Sequence, residues 1–129
     1  MPIDVMDYSF ESFRHEVVPE CVKRGIGVIG MKGCGGDGRI LTENVATLEE
    51  CYRYFLSQPI SVQVVGLASM EDLNKAIEIA RSFKAMTAEE LKTLSLRLTS
   101  VAGDGRYEHF KTTQLFDAGY HRKQHCFAV

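Results

Sequence analysis

Short apolar segments bounded by glycine alternate with segments of helical periodicity, and this alternation constrains the fold more than any other feature of the 129-residue chain. Residues 26–31 are apolar on both faces, which is typical of a buried strand in a parallel sheet, and residues 62–67 are the second strong strand. A shorter apolar stretch, residues 3–6, comes before the first helical pattern. Because strands that alternate with helices form βαβ units, the sequence predicts an α/β fold with three parallel strands.

Capping signals predict where the helices begin. Thr47 and Thr87 are each followed three residues later by glutamate, which is the capping-box pattern. Ser69 is a predicted N-cap directly after the second strong strand, and Ser9 is the predicted N-cap of the first helix. Pro19 lies inside that first helical pattern, so we expect it to kink the helix or to start a new turn.

Composition and charge exclude several classes of protein. The formal net charge is -2, so the chain has no basic excess with which to neutralise nucleic-acid phosphates. No apolar run approaches the roughly 20 residues that span a bilayer, and the first residues do not resemble a signal peptide. The four cysteines have irregular spacings, which favours free thiols in a reducing compartment. The sequence therefore predicts a cytoplasmic protein that binds neither nucleic acid nor membranes.

Three segments, in this order and spacing, resemble the aldo/keto reductase family. Residues 24–32 and the glycine-rich loop at 33–38 resemble the family's seventh barrel strand and cofactor loop. Residues 49–66 resemble the following helix and the eighth strand, and residues 66–73 resemble the turn that holds the adenosine phosphate end of the cofactor. Residues 104–112 resemble the tail of a bacterial-type branch. The resemblance implies a partial (β/α)8 TIM barrel over 1–102, with an extra C-terminal helix. The mixed composition of residues 103–129 predicts an irregular tail that is docked on the barrel by its aromatic residues or is frayed.

The resemblance also implies an incomplete enzyme. A complete barrel takes about 250 residues and eight strands, whereas this chain has room for strands six to eight. The family's catalytic Asp, Tyr, Lys and His come from earlier strands. The expectation is an oxidoreductase fragment that retains part of the NAD(P)H site and does not reduce carbonyls alone. The alternative is a non-catalytic α/β protein that binds a partner or forms a homo-oligomer through open strand edges.

The family's cofactor positions fall on a small set of residues, for each of which a structural role is an alternative. Met31 either stacks on the nicotinamide or packs at a strand end. The loop glycines either approach a pyrophosphate or form a connector, and Ser69 either presents a helix N-terminus to a phosphate or is only a cap. The choice between NADP and NAD stays open. The predicted cofactor-binding residues are Met31, Lys32, Gly33, Gly35, Gly66, Ser69 and Glu71.

Two further groups of side chains are candidates for a reactive thiol and for metal ligands. Cys34, in the glycine-rich loop, is predicted to be exposed, with its thiolate favoured by Lys32, but no base accompanies it. His121, His125 and Cys126 have a spacing that metal ligands can use, but nothing upstream completes a site. The sequence predicts neither a catalytic residue nor a metal site.

Overall fold

The computed structural model describes residues 1–112, and at its centre lies a small parallel sheet. Strands β1 (Ile29–Gly30) and β2 (Val62–Gln63) pair in parallel. On the other side of β1, Pro2 bridges Met31 in parallel, and the amide of Ile3 donates to the Met31 carbonyl at 3.0 Å. The N-terminal segment, β1 and β2 therefore lie side by side, which confirms a mixed α/β fold built on parallel strands.

Residues 1–112 contain seven helices in addition to this sheet. The predicted capping boxes at Thr47 and Thr87 are both formed, and the Ser69 hydroxyl accepts from the amide of Asp72 at 3.1 Å. The predicted starts of the three longer helices are confirmed. The helices are α1 (Phe13–Glu16), α2 (Val18–Lys23), α3 (Arg39–Thr42), α4 (Leu48–Leu56), α5 (Met70–Arg81), α6 (Ala88–Ala102) and α7 (His109–Thr112).

The first helical segment differs from its prediction at its start. The N-cap of α1 is Ser12 and not Ser9. The carboxylate of Asp7 accepts from the amides of Phe13 and Arg14, and these bonds fix the helix start at this point. Pro19 lies in the first turn of α2, where its missing N–H costs nothing, so the prediction that it starts a new turn is confirmed.

The prediction that the first strong strand is buried on both faces is wrong. Val28 and Gly30 are buried, whereas the alternating residue Ile29 is 57% exposed. In the second strand, Val62 is 56% exposed and Val64 is 51% exposed. The helices of residues 1–112 cover one face of the sheet only, so alternate side chains remain in solvent. We call this surface the open sheet face; it consists of Ile29, Met31, Val62 and Val64.

The core lies between the covered side of the sheet and the helices α4 and α6. Helix α4 contributes Cys51 and Phe55, and α6 contributes Leu94 and Leu98. Two ion pairs tie α4 to α6 at the surface: Arg97 lies 2.6 Å from Glu50, and Arg53 lies 2.8 Å from Glu90. These ion pairs connect the first two turns of α4 to α6.

The chain after Gly103 returns to the core instead of leaving it. Tyr107 and Glu108 are buried, and the Tyr107 hydroxyl donates to Glu43 at 2.7 Å. Helix α7 follows, so the first part of the predicted irregular tail contains a helical turn. The other aromatic residues predicted to dock the tail lie outside the described residues; they are Phe116, Tyr120 and Phe127. None of the helices in residues 1–112 has the length and apolar character needed to cross a membrane.

Candidate functional site

A cavity of about 600 Å³ lies at the carboxyl ends of β1 and β2. The loop after β1 lines one side of it, the segment at 64–68 after β2 lines another, and α4 contributes Tyr52 and Phe55. Because the strands are parallel, their carboxyl ends meet at one edge of the sheet, and the loops that follow them converge. We call this cavity the candidate pocket.

Three of the predicted cofactor residues line the candidate pocket: Lys32, Gly33 and Gly66. Lys32 has a positive φ of 56°, and its ammonium lies 4.4 Å from the centre of the Phe110 ring. Gly33 is buried, whereas Gly66 is exposed. The structure thus brings the glycine-rich loop and the turn after β2 to one cavity.

The other four predicted residues lie outside the pocket lining. Met31 belongs to the open sheet face and is 39% exposed, so it does not pack in the core. Gly35 has a positive φ of 79°, and its backbone packs against Ile40 and the Tyr107 carbonyl. Ser69 caps α5, and Glu71 forms an exposed ion pair with Lys75 at 2.6 Å.

The start of α5 carries a negative charge at the edge of the pocket. The Asp72 carboxylate, which lines the pocket, accepts from the amide of Ala68 at 3.1 Å. The hydrogen bond with Ser69, together with that from Ala68, lowers the pKa of Asp72, so this carboxylate is ionised at neutral pH. A negative charge therefore lies beside the helix start at which the sequence predicts a phosphate.

Sequence reasoning missed Asp72, Tyr52 and Phe55 as pocket residues. A signal for Asp72 exists, because Ser69 and Asp72 have the spacing of a serine N-cap with an acidic third residue. Tyr52 and Phe55 had no such signal. An apolar helix face has the same periodicity whether it packs in a core or lines a cavity.

Gly33 allows the loop to approach α4 closely. A Cβ atom added at this position would lie 2.5 Å from Cδ1 of Phe55, which is too close for two carbon atoms. A Cβ atom added at Gly66, on the opposite wall of the pocket, would have no atom within 4 Å. These two glycines therefore provide a matched pair for measuring the importance of close packing.

We expect Gly33→Ala to lower the free energy of unfolding by about 1–3 kcal/mol, because the Phe55 ring or the loop must move. Gly66→Ala is expected to change it by less than about 0.5 kcal/mol. Urea denaturation followed by circular dichroism measures both. Equal effects of the two substitutions would show that the loop does not need its close approach to α4.

The thiols of Cys34, on the loop after β1, and Cys51, on α4, shift each other's pKa. Cys34 is half-buried and not exposed as predicted, because its loop packs against α4. The Cys51 thiol lowers the pKa of Cys34 although burial opposes this shift; Lys32 does not cause it. The Cys34 thiol, followed by burial, raises the pKa of Cys51, which thus keeps its proton.

A second cluster of charged groups is buried beside the N-terminal segment. Asp4, Asp7 and Glu108 are fully buried, and the side chain of Lys111 is 2% exposed. The Lys111 ammonium lies 2.8 Å from Asp7 and 2.7 Å from Glu108. The buried Lys111 ammonium thus contacts two of the three buried carboxyl groups. We call these four residues the buried charge cluster.

Burial sets the protonation of the buried charge cluster. It raises the pKa of Asp4 and of Glu108, and a neighbouring acidic group raises the pKa of each carboxyl further. Burial acts against the charge on Lys111, but its bonds to Asp7 and Glu108 outweigh this and raise the pKa of Lys111. The cluster ties the N-terminal segment to α7.

The buried charge cluster is not a metal centre, since no group of three or more His, Cys, Asp or Glu residues in residues 1–112 is placed to hold an ion. His121, His125 and Cys126 lie outside the described residues.

No protein-family model, curated protein or solved structure matches this chain. The functional argument therefore depends on the residues and geometry of the candidate pocket. That pocket combines a cation, close-packed loop glycines, aromatic side chains and an acidic helix start. This set suits an elongated ligand with polar and aromatic parts.

Proposed function

We propose that this chain is an aldo/keto reductase-like part of an oxidoreductase that holds part of an NAD(P)H site. One observation carries the proposal: the two segments that resemble the family's cofactor segments line the same pocket. In this proposal the three parallel segments correspond to strands six to eight of a (β/α)8 barrel. The family's catalytic Asp, Tyr, Lys and His have no counterpart here, so the chain alone does not reduce carbonyls.

The dimensions and chemistry of the pocket support a dinucleotide. A volume of about 600 Å³ falls within the range of cofactor sites. Lys32 supplies a positive charge, and the neighbouring glycines allow backbone groups to approach a pyrophosphate. The half-buried side chains of Leu41, Leu48 and Val65 supply apolar surface for an aromatic ring.

The acidic start of α5 weakens the binding of a phosphorylated ribose. Asp72 places an ionised carboxylate where the resemblance implies the adenosine phosphate end. An acidic residue at such a position accepts hydrogen bonds from a ribose diol and repels a 2′-phosphate. We therefore expect NADH to bind at least as well as NADPH, and both to bind weakly.

Fluorescence titration of the full chain with NADH and with NADPH tests the proposal, alongside an assay of carbonyl reduction. We expect saturable binding below millimolar concentration and no turnover. Gly33→Ala, which disturbs one wall of the pocket, should weaken binding more than Gly66→Ala. Absence of binding at millimolar cofactor, or measurable turnover by the chain alone, would overturn the proposal.

Asp72→Asn is expected to raise the affinity for NADPH several-fold and to change the affinity for NADH less. The amide oxygen of asparagine keeps the acceptor for Ala68, while the charge that repels the phosphate is removed. The gain should shrink at high salt, because exposed charges are screened beyond about 8 Å at physiological ionic strength. Asp104→Asn, at an exposed carboxylate bound to Arg106, is the matched control and should leave both affinities unchanged. A similar gain for both cofactors, independent of salt, would contradict the electrostatic explanation.

The open sheet face favours a second candidate function, self-association of two copies. Its four side chains are apolar and exposed, and in residues 1–112 no segment pairs with the outer edge of β2. An uncharged face of this kind can pack on its own copy about a twofold axis. Sedimentation equilibrium tests this function, with Val62→Lys as the disrupting variant. A monomer at high protein concentration that still binds NADH would exclude it and leave the first proposal.

A further inference from the structure

Lys32 is the cation of the candidate pocket. Among the described residues that line this pocket it is the one positively charged side chain, and the same lining carries the carboxylates of Asp37 and Asp72. Two negative charges oppose the binding of an anion, and the attraction of one positive charge falls with distance. The affinity of the pocket for an anionic group therefore depends on where the Lys32 ammonium is held.

The backbone and the loop glycines direct the Lys32 side chain. Lys32 has a φ of 56°, in the left-handed region, and its carbonyl accepts a hydrogen bond from the amide of Gly35 at 2.8 Å. The stem of the side chain runs along Gly36, where an added Cβ atom would lie 3.3 Å from Cδ of Lys32 and 3.8 Å from its Nζ. A closed turn and a close-packed glycine thus set the direction of the side chain.

The ring of Phe110 holds the end of the same side chain. Nζ of Lys32 lies 4.4 Å from the ring centre, within the distance at which a lysine cation is attracted to an aromatic ring. Phe110 is half-buried on α7 and is not among the residues that line the pocket. The ring therefore contacts the ammonium without taking up the space of a ligand.

The segment that carries Phe110 is fastened on two sides. Lys111, the next residue, donates to the Asp7 carboxylate at 2.8 Å and to the Phe10 carbonyl at 2.7 Å. Arg39, on the helix after the glycine-rich loop, donates to the Arg106 carbonyl at 3.2 Å. These bonds connect residues 106–111 to the N-terminal segment and to α3, so the ring has a fixed place beside the loop.

We propose that Phe110 is a positioning residue of the candidate pocket, whose ring holds the Lys32 ammonium for contact with a phosphate or pyrophosphate group of the ligand. The inference rests on the proposed function in one respect, since that function supplies the anionic ligand. An ammonium against a ring face keeps N–H donors on its other side. Because it is already held in place, it loses less freedom when the anion binds.

Calorimetric titration of the full chain, with sodium pyrophosphate and separately with NADH, tests the proposal. Phe110→Leu should weaken the binding of both by about three- to ten-fold, because leucine fills space but has no ring face. Phe110→Tyr, which keeps the ring, should retain the wild-type affinities. Phe83→Leu is the matched control, since Phe83 is half-buried and lies outside the lining of the candidate pocket, and it should change neither affinity.

A double-mutant cycle separates positioning from packing. Lys32→Met should weaken pyrophosphate binding at least as much as Phe110→Leu does. If the ring acts through the ammonium, adding Phe110→Leu to Lys32→Met should cause no further loss. Additive losses, or equal losses for Phe110→Leu and Phe110→Tyr, would overturn the positioning role.

A measurement on the wild-type chain needs no variant that must fold. Ring currents of Phe110 should shift the ε-methylene protons of Lys32 to high field in the NMR spectrum, and pyrophosphate should move these signals further. Unshifted signals would contradict the inference. Circular dichroism checks that each variant is folded before its affinity is compared.

The two probes distinguish the failure of this inference from that of the proposed function. Pyrophosphate binding that responds to Phe110→Leu, without NADH binding, would overturn the dinucleotide function and leave the role of Phe110. NADH binding that is equal in the wild type and in Phe110→Leu would overturn the role of Phe110 and leave the function. Binding of neither probe would overturn both.

Discussion

Lys111→Met is expected to lower the free energy of unfolding by about 3–5 kcal/mol, because it leaves buried carboxyl groups without their cation. Lys111 is the cation of the buried charge cluster and contacts both Asp7 and Glu108. Methionine fills a similar volume, so lost packing contributes little. Urea denaturation at neutral pH measures the loss. Lys75→Met, which breaks an exposed ion pair on α5, is the matched control and should leave the midpoint unchanged.

The effect of Lys111→Met should depend on pH. The folded state raises the pKa of Asp4 and of Glu108 above their ordinary values of about 4. These carboxyl groups therefore stabilise the folded state at pH values below that range. The contribution is lost as the pH rises through their pKa values in the folded state. Without Lys111 the carboxyl groups are still harder to ionise. The loss of unfolding free energy caused by Lys111→Met should therefore be smaller at about pH 5, just above the ordinary pKa of these carboxyl groups, than at about pH 8. Equal losses at both pH values would assign the effect to packing.

Phe55→Ala is expected to lower the free energy of unfolding by about 3–5 kcal/mol, the usual result of removing a fully buried ring. Phe55 is 1% exposed, its ring centre lies 4.8 Å from that of Tyr52, and the glycine-rich loop packs on it at Gly33. The substitution therefore leaves a cavity between α4 and the pocket. Thermal and urea denaturation measure the loss.

Two comparisons separate the packing of Phe55 from general effects of alanine. Leu96→Ala removes a side chain that is 67% exposed on α6 and should cost less than about 0.5 kcal/mol. Phe55→Leu should restore most of the stability, since it refills part of the cavity. A loss below about 1 kcal/mol for Phe55→Ala would mean that the loop and α4 close around the missing ring.

Local signals in the sequence predicted the elements whose physics is local. Thr47, Ser69 and Thr87 begin helices in the structure because a side-chain oxygen and the amide three residues on form one short-range bond. Pro19 starts a turn for a similarly local reason. The parallel direction of the strands also followed from the alternation of strands with helices.

Only the tertiary structure decided what covers each face of the sheet. The apolar residues Val28 and Ile29 have the same local signal, yet one is buried and the other is mostly exposed. The first helix likewise begins at Ser12 instead of Ser9, because a carboxylate outside the helix accepts its first amides. Packing against other elements determines the first outcome, and a side chain outside the helix determines the second; hydrophobic periodicity records neither.

The candidate pocket and the buried charge cluster show the same division between what the sequence predicts and what the tertiary structure decides. The sequence determined which segments carry glycine, a lysine and a helix start, and so predicted Lys32, Gly33 and Gly66 near one another. It did not show that Lys111 reaches Asp7 although the two residues are far apart in the sequence. Burial and the meeting of residues far apart in sequence set these contacts, and with them the pKa of each group. Such properties belong to the packed chain because they depend on distance in space and not on order along the sequence.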